Sequence, residues 1–454
     1  MPTVIGQIGG IQLYGWVFSA YLLTGTVTVP IYGKLADLFG RKPVFLAAVV
    51  MFMVGSMLCG QAQTMEQLIG FRLLQGLGAG GVLPITQTVL GNVFPLDERA
   101  RITGLFSTVW GVAGLLGPAI GGFLTEHVSW RWVFYVNFPL CVLSMVLIWS
   151  FLHERIERRR VSIDYIGAVA LSSSVAVLLV ALQLTSNPAL QVGLYLLAAA
   201  LVPVFIWQER RASEPLVPLW LFRQRAIAVS TVGGLLLGIA LYGQSTFLPP
   251  FVQGVMGATP TLSGFVLASS SISWPLASGL GGRLLLRWGF RRPCVLGGVV
   301  LMLGFGLLLV LTPASALWVP ALISFVIGLG FGFYSVVIIL AAQSSVGWQN
   351  RGVVTSANQF ARNIGGTVGV SIAGAIFTAG VASAAGVGIN PNEILAADVR
   401  ATLAPADLRV LQQVLADSLR SVYALFVGVA VLATIVAGFL PGGIPSEVSD
   451  GASS

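Results

Sequence analysis

Charged side chains are scarce in this sequence. Only 9% of its 454 residues are Asp, Glu, Lys or Arg, whereas 56% are hydrophobic. A chain of this composition has too few polar residues to cover a water-exposed surface, which excludes an ordinary soluble protein. We therefore expect lipid to surround most of the chain.

Residues that carry chemistry are also few. The three cysteines, Cys59, Cys141 and Cys294, lie in separate apolar runs and show neither a disulfide framework nor a metal spacing, so we expect small buried side chains. The two histidines, His127 and His153, lie at opposite ends of apolar runs and are interpreted as structural. No nucleophile–base pair and no ligand cluster stands out. We predict no catalytic residue, no metal, no cofactor and no enzymatic activity.

Long apolar runs recur along the whole chain. A bilayer core of about 30 Å requires roughly 20 apolar residues in a helix, whereas a spanning strand needs about ten with alternating polarity, which these runs lack. The sequence therefore predicts an all-α, polytopic membrane helix bundle with about thirteen transmembrane helices. The predicted spans are 14–32, 44–61, 68–90, 102–123, 132–152, 165–184, 191–208, 227–251, 262–282, 294–311, 318–340, 353–379 and 421–440.

The basic residues indicate how these spans are oriented. Six alternate connections hold eighteen of the 24 Lys and Arg residues, and three short connections between them hold none. Basic connections face the cytoplasm, so the net charge of +8 is interpreted as a topology signal and no nucleic-acid partner is expected. Residue 1 is then outside and the C-terminal tail inside. The basic connections are those near 33–43, 91–101, 153–164, 209–226, 283–293 and 341–352.

A nucleotide site is also not expected. The stretch GLGAGG places Gly76, Gly78 and Gly81 in a G-x-G-x-x-G pattern, but no strand precedes it and the glycines lie inside an apolar run. No G-x-x-x-x-G-K-[ST] pattern occurs. Any uphill work by this chain must therefore draw on an ion gradient.

One connection is unusually rich in charge. The stretch YGKLADLFGRKPVF (32–45) contains Lys34, Asp37, Arg41 and Lys42. The carboxylate can receive the positive end of a neighbouring helix or pair with an arginine, which would hold the cytoplasmic side shut. A basic cytoplasmic loop with one balancing acid explains the same residues equally well. Both interpretations stay open on residue types alone.

The same pattern recurs in the second half. Gly33-Lys34-Leu35 followed by Gly40 matches Gly282-Arg283-Leu284 followed by Gly289, whereas Asp37 aligns with Leu286. A duplicated helix bundle with a binding site between its halves is typical of transporters.

Four ordered motifs identify a resemblance. GKLADLFGRK (33–42) closely resembles the loop between the second and third helices of the major facilitator superfamily, and RLLQGLGAGG (72–81) resembles its fourth-helix motif. Gly104 with GVAGLLGPAIGG (111–122) resembles the fifth-helix antiporter motif, except that Ala113 replaces a usual glycine. SWRWVFYVNFP (129–139) resembles the sixth helix of the fourteen-helix drug:proton antiporter branch. The resemblance covers essentially the whole chain.

The resemblance implies an architecture and a function. Two pseudo-symmetric halves, at 1–152 and 227–440, are expected on either side of a central insert at 153–226 with two extra helices, followed by a cytoplasmic tail at 441–454. The implied function is proton-coupled export of lipophilic small molecules across a bacterial-type cytoplasmic membrane. The expected partners are the lipid bilayer, the substrate and protons. An uncoupled facilitator or importer, and a non-transporting membrane sensor or partner subunit, are the alternatives.

The resemblance also nominates residues. Arg72 is expected to be the electrostatic partner of a protonatable carboxylate, although an arginine that reaches the outer interface is the structural alternative. For each residue that is expected below to line the substrate cavity, a packing or lipid-facing role is about equally plausible on its own. The gating and coupling residues are Gly33, Asp37, Gly40, Arg41, Lys42, Arg72, Arg101, Gly117, Pro118, Gly121 and Gly122. The residues expected to line the substrate cavity are Trp16, Tyr21, Gln75, Gln87, Trp110, Tyr242, Gln244, Phe247, Trp274 and Asn358.

The first family helix has no counterpart among the predicted spans. The opening residues, MPTVIGQIGG, resemble the family segment just after that helix, which normally carries an aspartate that contributes to proton coupling. None of the thirteen spans has an acidic residue at its centre. Either the true start lies upstream or this form is impaired in transport. We expect the reading frame upstream of Met1 to encode about twenty apolar residues that include an aspartate.

Overall fold

The computed structural model describes residues 2–93, 96–152, 164–183, 188–212, 219–346, 351–382 and 405–443. Within these ranges the secondary structure is helical and contains no strand. Two 3₁₀ turns, Ile11–Leu13 and Leu219–Arg223, and one π-helical turn, Phe251–Val255, accompany the α-helices. The α-helices are α1 (Pro2–Ile8), α2 (Tyr14–Phe39), α3 (Arg41–Gln61), α4 (Met65–Val93), α5 (Leu96–His127), α6 (Trp132–Tyr135), α7 (Asn137–Phe151), α8 (Tyr165–Gln183), α9 (Pro188–Arg211), α10 (Arg225–Pro250), α11 (Pro260–Trp288), α12 (Arg291–Leu308), α13 (Trp318–Ser344), α14 (Arg351–Ala382) and α15 (Pro405–Gly438).

The predicted membrane bundle is confirmed. Each of the thirteen predicted spans coincides with a long helix, or with the consecutive helices α6 and α7 in the case of 132–152. In the described part of the chain, nine candidate spans are long and apolar enough to cross a membrane. The three cysteines are free and buried, as predicted.

The connections are shorter than the sequence predicted. Almost all of the predicted loop 33–43 is helical, and Gly40 alone joins α2 to α3 with a φ of 90°. Its repeat counterpart, Gly289, follows α11 directly with a φ of 72°. Glycine adopts these positive φ values without steric cost, so the matched glycines permit two abrupt links on the basic side of the chain.

The last helix also begins earlier than the predicted span 421–440. It starts at Pro405 because the segment between Pro405 and the predicted span is amphipathic. Leu411, Leu415 and Leu419 are buried there at four-residue spacing. Asp407 in its first turn complements the helix dipole. The sequence prediction missed this extension because charged residues interrupt the apolar run.

The described chain divides into two compact units. The first comprises residues 16–109 and 129–219, and the second comprises 1–15, 110–128 and 220–454. In the first unit α3 packs on α4 and α7, and α8 packs on α9. In the second unit α10 packs on α14, α11 on α13, and α12 on both α13 and α15. The domain boundaries predicted at 152 and 226 stay a prediction.

Glycines allow close helix contact in both units. In the first unit, a Cβ on Gly76 would meet the Thr24 hydroxyl and the Tyr21 carbonyl on α2. In the second, a Cβ on Gly238 of α10 would meet the Arg362 carbonyl on α14, and one on Gly365 would meet a carbonyl of α10. Backbone contact of this kind stabilises helix pairs in lipid, where burial of apolar surface does not distinguish one helix from the lipid tails.

Candidate functional site

An arginine is fixed inside a predicted span of the first unit. Arg72 lies seven residues into α4, about 10 Å along the helix axis. Its Nε donates to the Val17 carbonyl on α2 at 3.1 Å, and its Nη1 donates to Gln75 Oε1 at 2.8 Å. The guanidinium also lies over the Tyr21 ring, with Cζ 4.1 Å from the ring centroid. Three of the predicted site residues, Tyr21, Arg72 and Gln75, therefore meet in one cluster.

The cluster continues through Ser56 on α3 to the next helices. Gln75 Nε2 donates to Ser56 Oγ at 3.1 Å, and Asn137 Nδ2 donates to the same oxygen at 3.0 Å. Ser56 Oγ in turn donates to the Phe134 carbonyl at 2.9 Å. Ser56 and Gln75 are buried, so each of these hydrogen bonds satisfies a polar group that water does not reach.

The polar cluster holds a positive charge with neutral groups. In the described part of the chain, the groups that contact the Arg72 guanidinium are a carbonyl, an amide and a phenol ring. The role of Arg72 as partner of a protonatable carboxylate stays a prediction. A guanidinium held in this way stabilises the ionised form of any carboxylate brought close to it.

The charged stretch 32–45, at the junction of α2 and α3, contacts the end of another helix. Lys42 Nζ donates to the Trp149 carbonyl near the C-terminal end of α7 at 2.7 Å and lies 5.1 Å from the centroid of the Trp149 ring. In the repeat, Arg291 takes the position of Lys42, and its Nε donates to the Leu440 carbonyl just beyond α15 at 2.9 Å. Both cations satisfy carbonyls that a helix C-terminus leaves free and complement its dipole.

Some predicted residues lie where only the backbone is described. Gly33 and Asp37 lie in α2, and Arg41 begins α3. The side chain of Asp37 lies outside the described part of the structure, as do those of Gln87, Arg101 and Trp110. Their predicted roles stay predictions.

The predicted flexing segment lies in the second half of α5. Gly122 packs against α11, because an added Cβ would lie 2.6 Å from the Pro260 carbonyl oxygen. Pro118 contributes its carbonyl to the contact with Gly264 on α11. An added Cβ on Gly117 or Gly121 would meet no described atom within 4 Å.

The end of α5 also carries an exposed carboxylate. Glu126 Oε2 accepts a hydrogen bond from the Thr261 N–H in the first turn of α11 at 3.0 Å. The Thr261 side chain beside the carboxylate and the N–H bond from the same residue hold the pKa of Glu126 below its ordinary value of 4.5. A negative charge at a helix N-terminus stabilises that helix by about 0.3–1 kcal/mol.

We expect Glu126→Gln to lower the melting temperature slightly at pH 7 and to have a progressively smaller effect as the pH falls below 4.5. Because the folded-state pKa is depressed, the carboxylate stabilises the fold above its unfolded-state pKa near 4.5, and this contribution is lost as the pH falls through the folded-state pKa. Thermal unfolding of the purified protein across this pH range measures the difference. A difference in melting temperature between the two proteins that does not shrink as the pH is lowered would contradict an ionic contribution.

The remaining cavity candidates are placed separately. Trp16 is half-buried in α2. In the second unit, Gln244 donates to Ser324 at 3.0 Å, Asn358 to the Ser230 carbonyl at 2.6 Å, and the Trp274 indole to Ser335 at 3.1 Å. These bonds join neighbouring helices. The candidate Phe247 is fully buried, with its ring centroid 5.7 to 6.4 Å from those of Tyr14, Phe377 and Phe426.

Sequence reasoning missed a second arginine cluster. Arg362 lies within the candidate span Ala357–Ala382 of α14, beside Gln359 and Asn363. Tyr242 is brought to this group, since its hydroxyl donates to Asn363 Oδ1 at 3.4 Å. The signal was present in the stretch ANQFARN (357–363), where an arginine and three amides lie close together inside an apolar run. The search for acidic residues at span centres overlooked it.

Comparisons with known proteins agree with this architecture. The family model described as Major Facilitator Superfamily matches residues 1–370. The chain is 36% identical over 384 residues to the multidrug transporter protein MdtP of Bacillus subtilis, covering 84% of this chain and 71% of that protein. It is 33% identical over 462 residues to multidrug resistance protein 3 of the same organism, covering 97% and 90%. The crystal structure of the nucleoside transporter NupG has a TM-score of 0.62 at 14% identity, covering 96% of this chain and 92% of that one, which supports the fold alone.

Proposed function

The chain belongs to the major facilitator superfamily and is a membrane transporter rather than an enzyme; from that premise, we propose that it exports lipophilic drugs or similar small molecules by exchange for protons. The observation that carries the proposal is the Arg72 cluster, which holds a fixed positive charge inside a span. A charge in this position couples the protonation of an approaching carboxylate to helix movement. The names of the two Bacillus subtilis relatives support drugs as substrates.

The proposed location is the cytoplasmic membrane, with the basic connections inside. The links at Gly40 and Gly289 belong to this cytoplasmic side, whereas Glu126 and the start of α15 belong to the outer side. Lys42 and Arg291 then fasten helix ends at the cytoplasmic surface. Labelling of single cysteines at the exposed positions 39 and 126 from the two sides of the membrane, in a protein whose three native cysteines are replaced, tests this arrangement.

An efflux assay tests the proposed function. Cells that produce the protein should accumulate less ethidium than cells without it, and a protonophore should remove the difference, because a proton gradient drives the export. A difference that survives the protonophore would identify uncoupled transport. Equal accumulation in both cells, for a panel of lipophilic dyes, would indicate a protein that does not export them.

We expect Asp37→Asn to reduce export more than tenfold while the protein still reaches the membrane. The substitution keeps the size of the side chain and removes the charge with which the cytoplasmic gate is proposed to close. Loss of a charge-assisted contact amounts to about 1.5–3 kcal/mol, which shifts a two-state equilibrium by at least tenfold. The efflux assay, normalised to membrane protein, measures the change.

The matched control is Glu66→Gln, which removes a carboxylate in the first turn of α4. In the proposed orientation, Glu66 lies on the opposite side of the membrane from Asp37. This control should export normally. Unchanged export in Asp37→Asn would leave the charged stretch as a signal for orientation only.

A further inference from the structure

The helices α10 to α14 of the second unit contain arginines but no acidic residue. No Asp or Glu occurs between Glu214 and Glu393, although eight arginines do. Seven of these arginines lie in the basic connections or in the helix ends next to them. The eighth, Arg362, lies inside the apolar segment Ala357–Ala382 of α14. The helices α10 to α14 therefore supply no carboxylate to neutralise it.

The backbone contact with α10 places Arg362 deep in the helix pair. Its carbonyl lies against Gly238, which is one residue from the middle of the predicted span 227–251. An arginine within the hydrocarbon region of a bilayer is unfavourable unless it finds a partner, and such residues mark sites of function. The orientation of the spans by basic connections does not account for Arg362, so its charge requires another explanation.

The groups around this guanidinium are neutral hydrogen-bonding groups. One Nη2 hydrogen bond goes to Gln359 Oε1. Gln359 Nε2 donates in turn to Asn363 Oδ1 at 2.9 Å, and the Tyr242 hydroxyl donates to the same oxygen at 3.4 Å. A guanidinium carries five N–H groups, and the Nε of Arg362 is buried without an acceptor among the described residues.

A second arginine of the same unit provides the contrast. The Nε of Arg420 is also buried without a described acceptor. Its Nη1, however, lies 2.7 Å from Asp417 Oδ1, so a carboxylate compensates its charge. Arg362 has a comparable unmet donor but no such counter-ion from the helices α10 to α14.

We propose that Arg362 is the recognition site for an anionic group of the transported molecule, which makes amphipathic organic acids a substrate class of this protein. The planar guanidinium matches a carboxylate or sulfonate, and an anion both restores electroneutrality and accepts from the unmet Nε. The apolar composition of α10 and of the segment Ala357–Ala382 in α14 suits the lipophilic part of such a molecule. This inference rests on the proposed export function and specifies its substrate.

Binding of a matched ligand series tests the inference. The full chain in zwitterionic phosphatidylcholine nanodiscs, in low-chloride buffer at pH 7, is titrated with pyrenebutyrate, its methyl ester and the corresponding pyrenyl trimethylammonium. We expect the anion to bind at least tenfold more tightly than the ester and the cation. Equal affinities of the unaltered protein for the three ligands would overturn the proposal before any variant is made.

Variants then locate the site. Arg362→Gln should reduce the preference for the anion at least tenfold and leave the affinity for the ester unchanged, whereas Arg362→Lys should keep part of the preference because it keeps the charge. The control Arg420→Gln should keep the full preference. An anion preference that survives in a folded Arg362→Gln protein would overturn the assignment.

Transport of the same ligands separates this inference from the proposed function. Protonophore-sensitive export of ethidium with no anion preference would overturn the anion site and leave the export function standing. Preferential binding of pyrenebutyrate without export of any ligand would support the site and contradict the export function.

Discussion

Arg72→Leu is expected to reduce export at least tenfold per folded molecule. The substitution removes both hydrogen bonds of the guanidinium and its contact with the Tyr21 ring. Hydrogen bonds of charged groups contribute about 1.5–3 kcal/mol each, and a desolvated cation–π contact contributes about 2 kcal/mol. Gln75 would lose the donor that orients it toward Ser56, so the cluster would lose both its charge and its geometry. Efflux measured against the folded fraction in size-exclusion chromatography gives the result.

Two comparisons identify the cause of that loss. Arg72→Lys keeps the charge but loses the planar fork, and we expect it to retain partial export. The control Arg131→Leu removes an arginine with similar contacts, a 3.1 Å hydrogen bond to the Ala62 carbonyl and a position over the Trp130 ring, and should export normally. If a folded Arg72→Leu protein exports as well as the unaltered protein, Arg72 has a packing role alone.

Gly238→Leu is expected to prevent stable folding of the second unit. A Cβ at this position would overlap the carbonyl oxygen of Arg362, and a backbone atom cannot move aside as the end of a flexible side chain can. The helices α10 and α14 would have to separate, which removes the reciprocal contact of Gly365 with α10 and displaces the Arg362 cluster. Overpacking of a tight interface costs about 1–3 kcal/mol or more. The yield of monodisperse protein and its melting temperature measure the effect.

The matched control is Gly279→Leu in α11. A Cβ at Gly279 would meet no described atom within 4 Å, so this substitution adds the same apolar volume at an open position. The control protein should fold with a yield close to that of the unaltered chain. Comparable yields for the Gly238 and Gly279 variants would show that α10 and α14 tolerate a larger separation.

The sequence by itself determined the positions of the helices and the family. Apolar runs of about twenty residues predict membrane helices because the thickness of the bilayer sets their length. The repeat aligned Gly40 with Gly289, and the structure places positive φ values at both glycines. The ordered motifs predicted the family, which the match over residues 1–370 confirms. These features depend on local composition and on neighbouring residues, so they are readable without coordinates.

Only the tertiary structure decided what surrounds the deep polar groups. The hydrogen bond of Arg72 to Val17 joins residues 55 positions apart, and that of Asn137 to Ser56 joins residues 81 apart. Apolar periodicity places such a side chain in a helix but does not reveal which helix faces it. The neutral surroundings of Arg362 likewise depend on the contact between α10 and α14. Helix packing in lipid is decided by close backbone approach and by the pairing of buried polar groups, and both arise between segments distant in the chain.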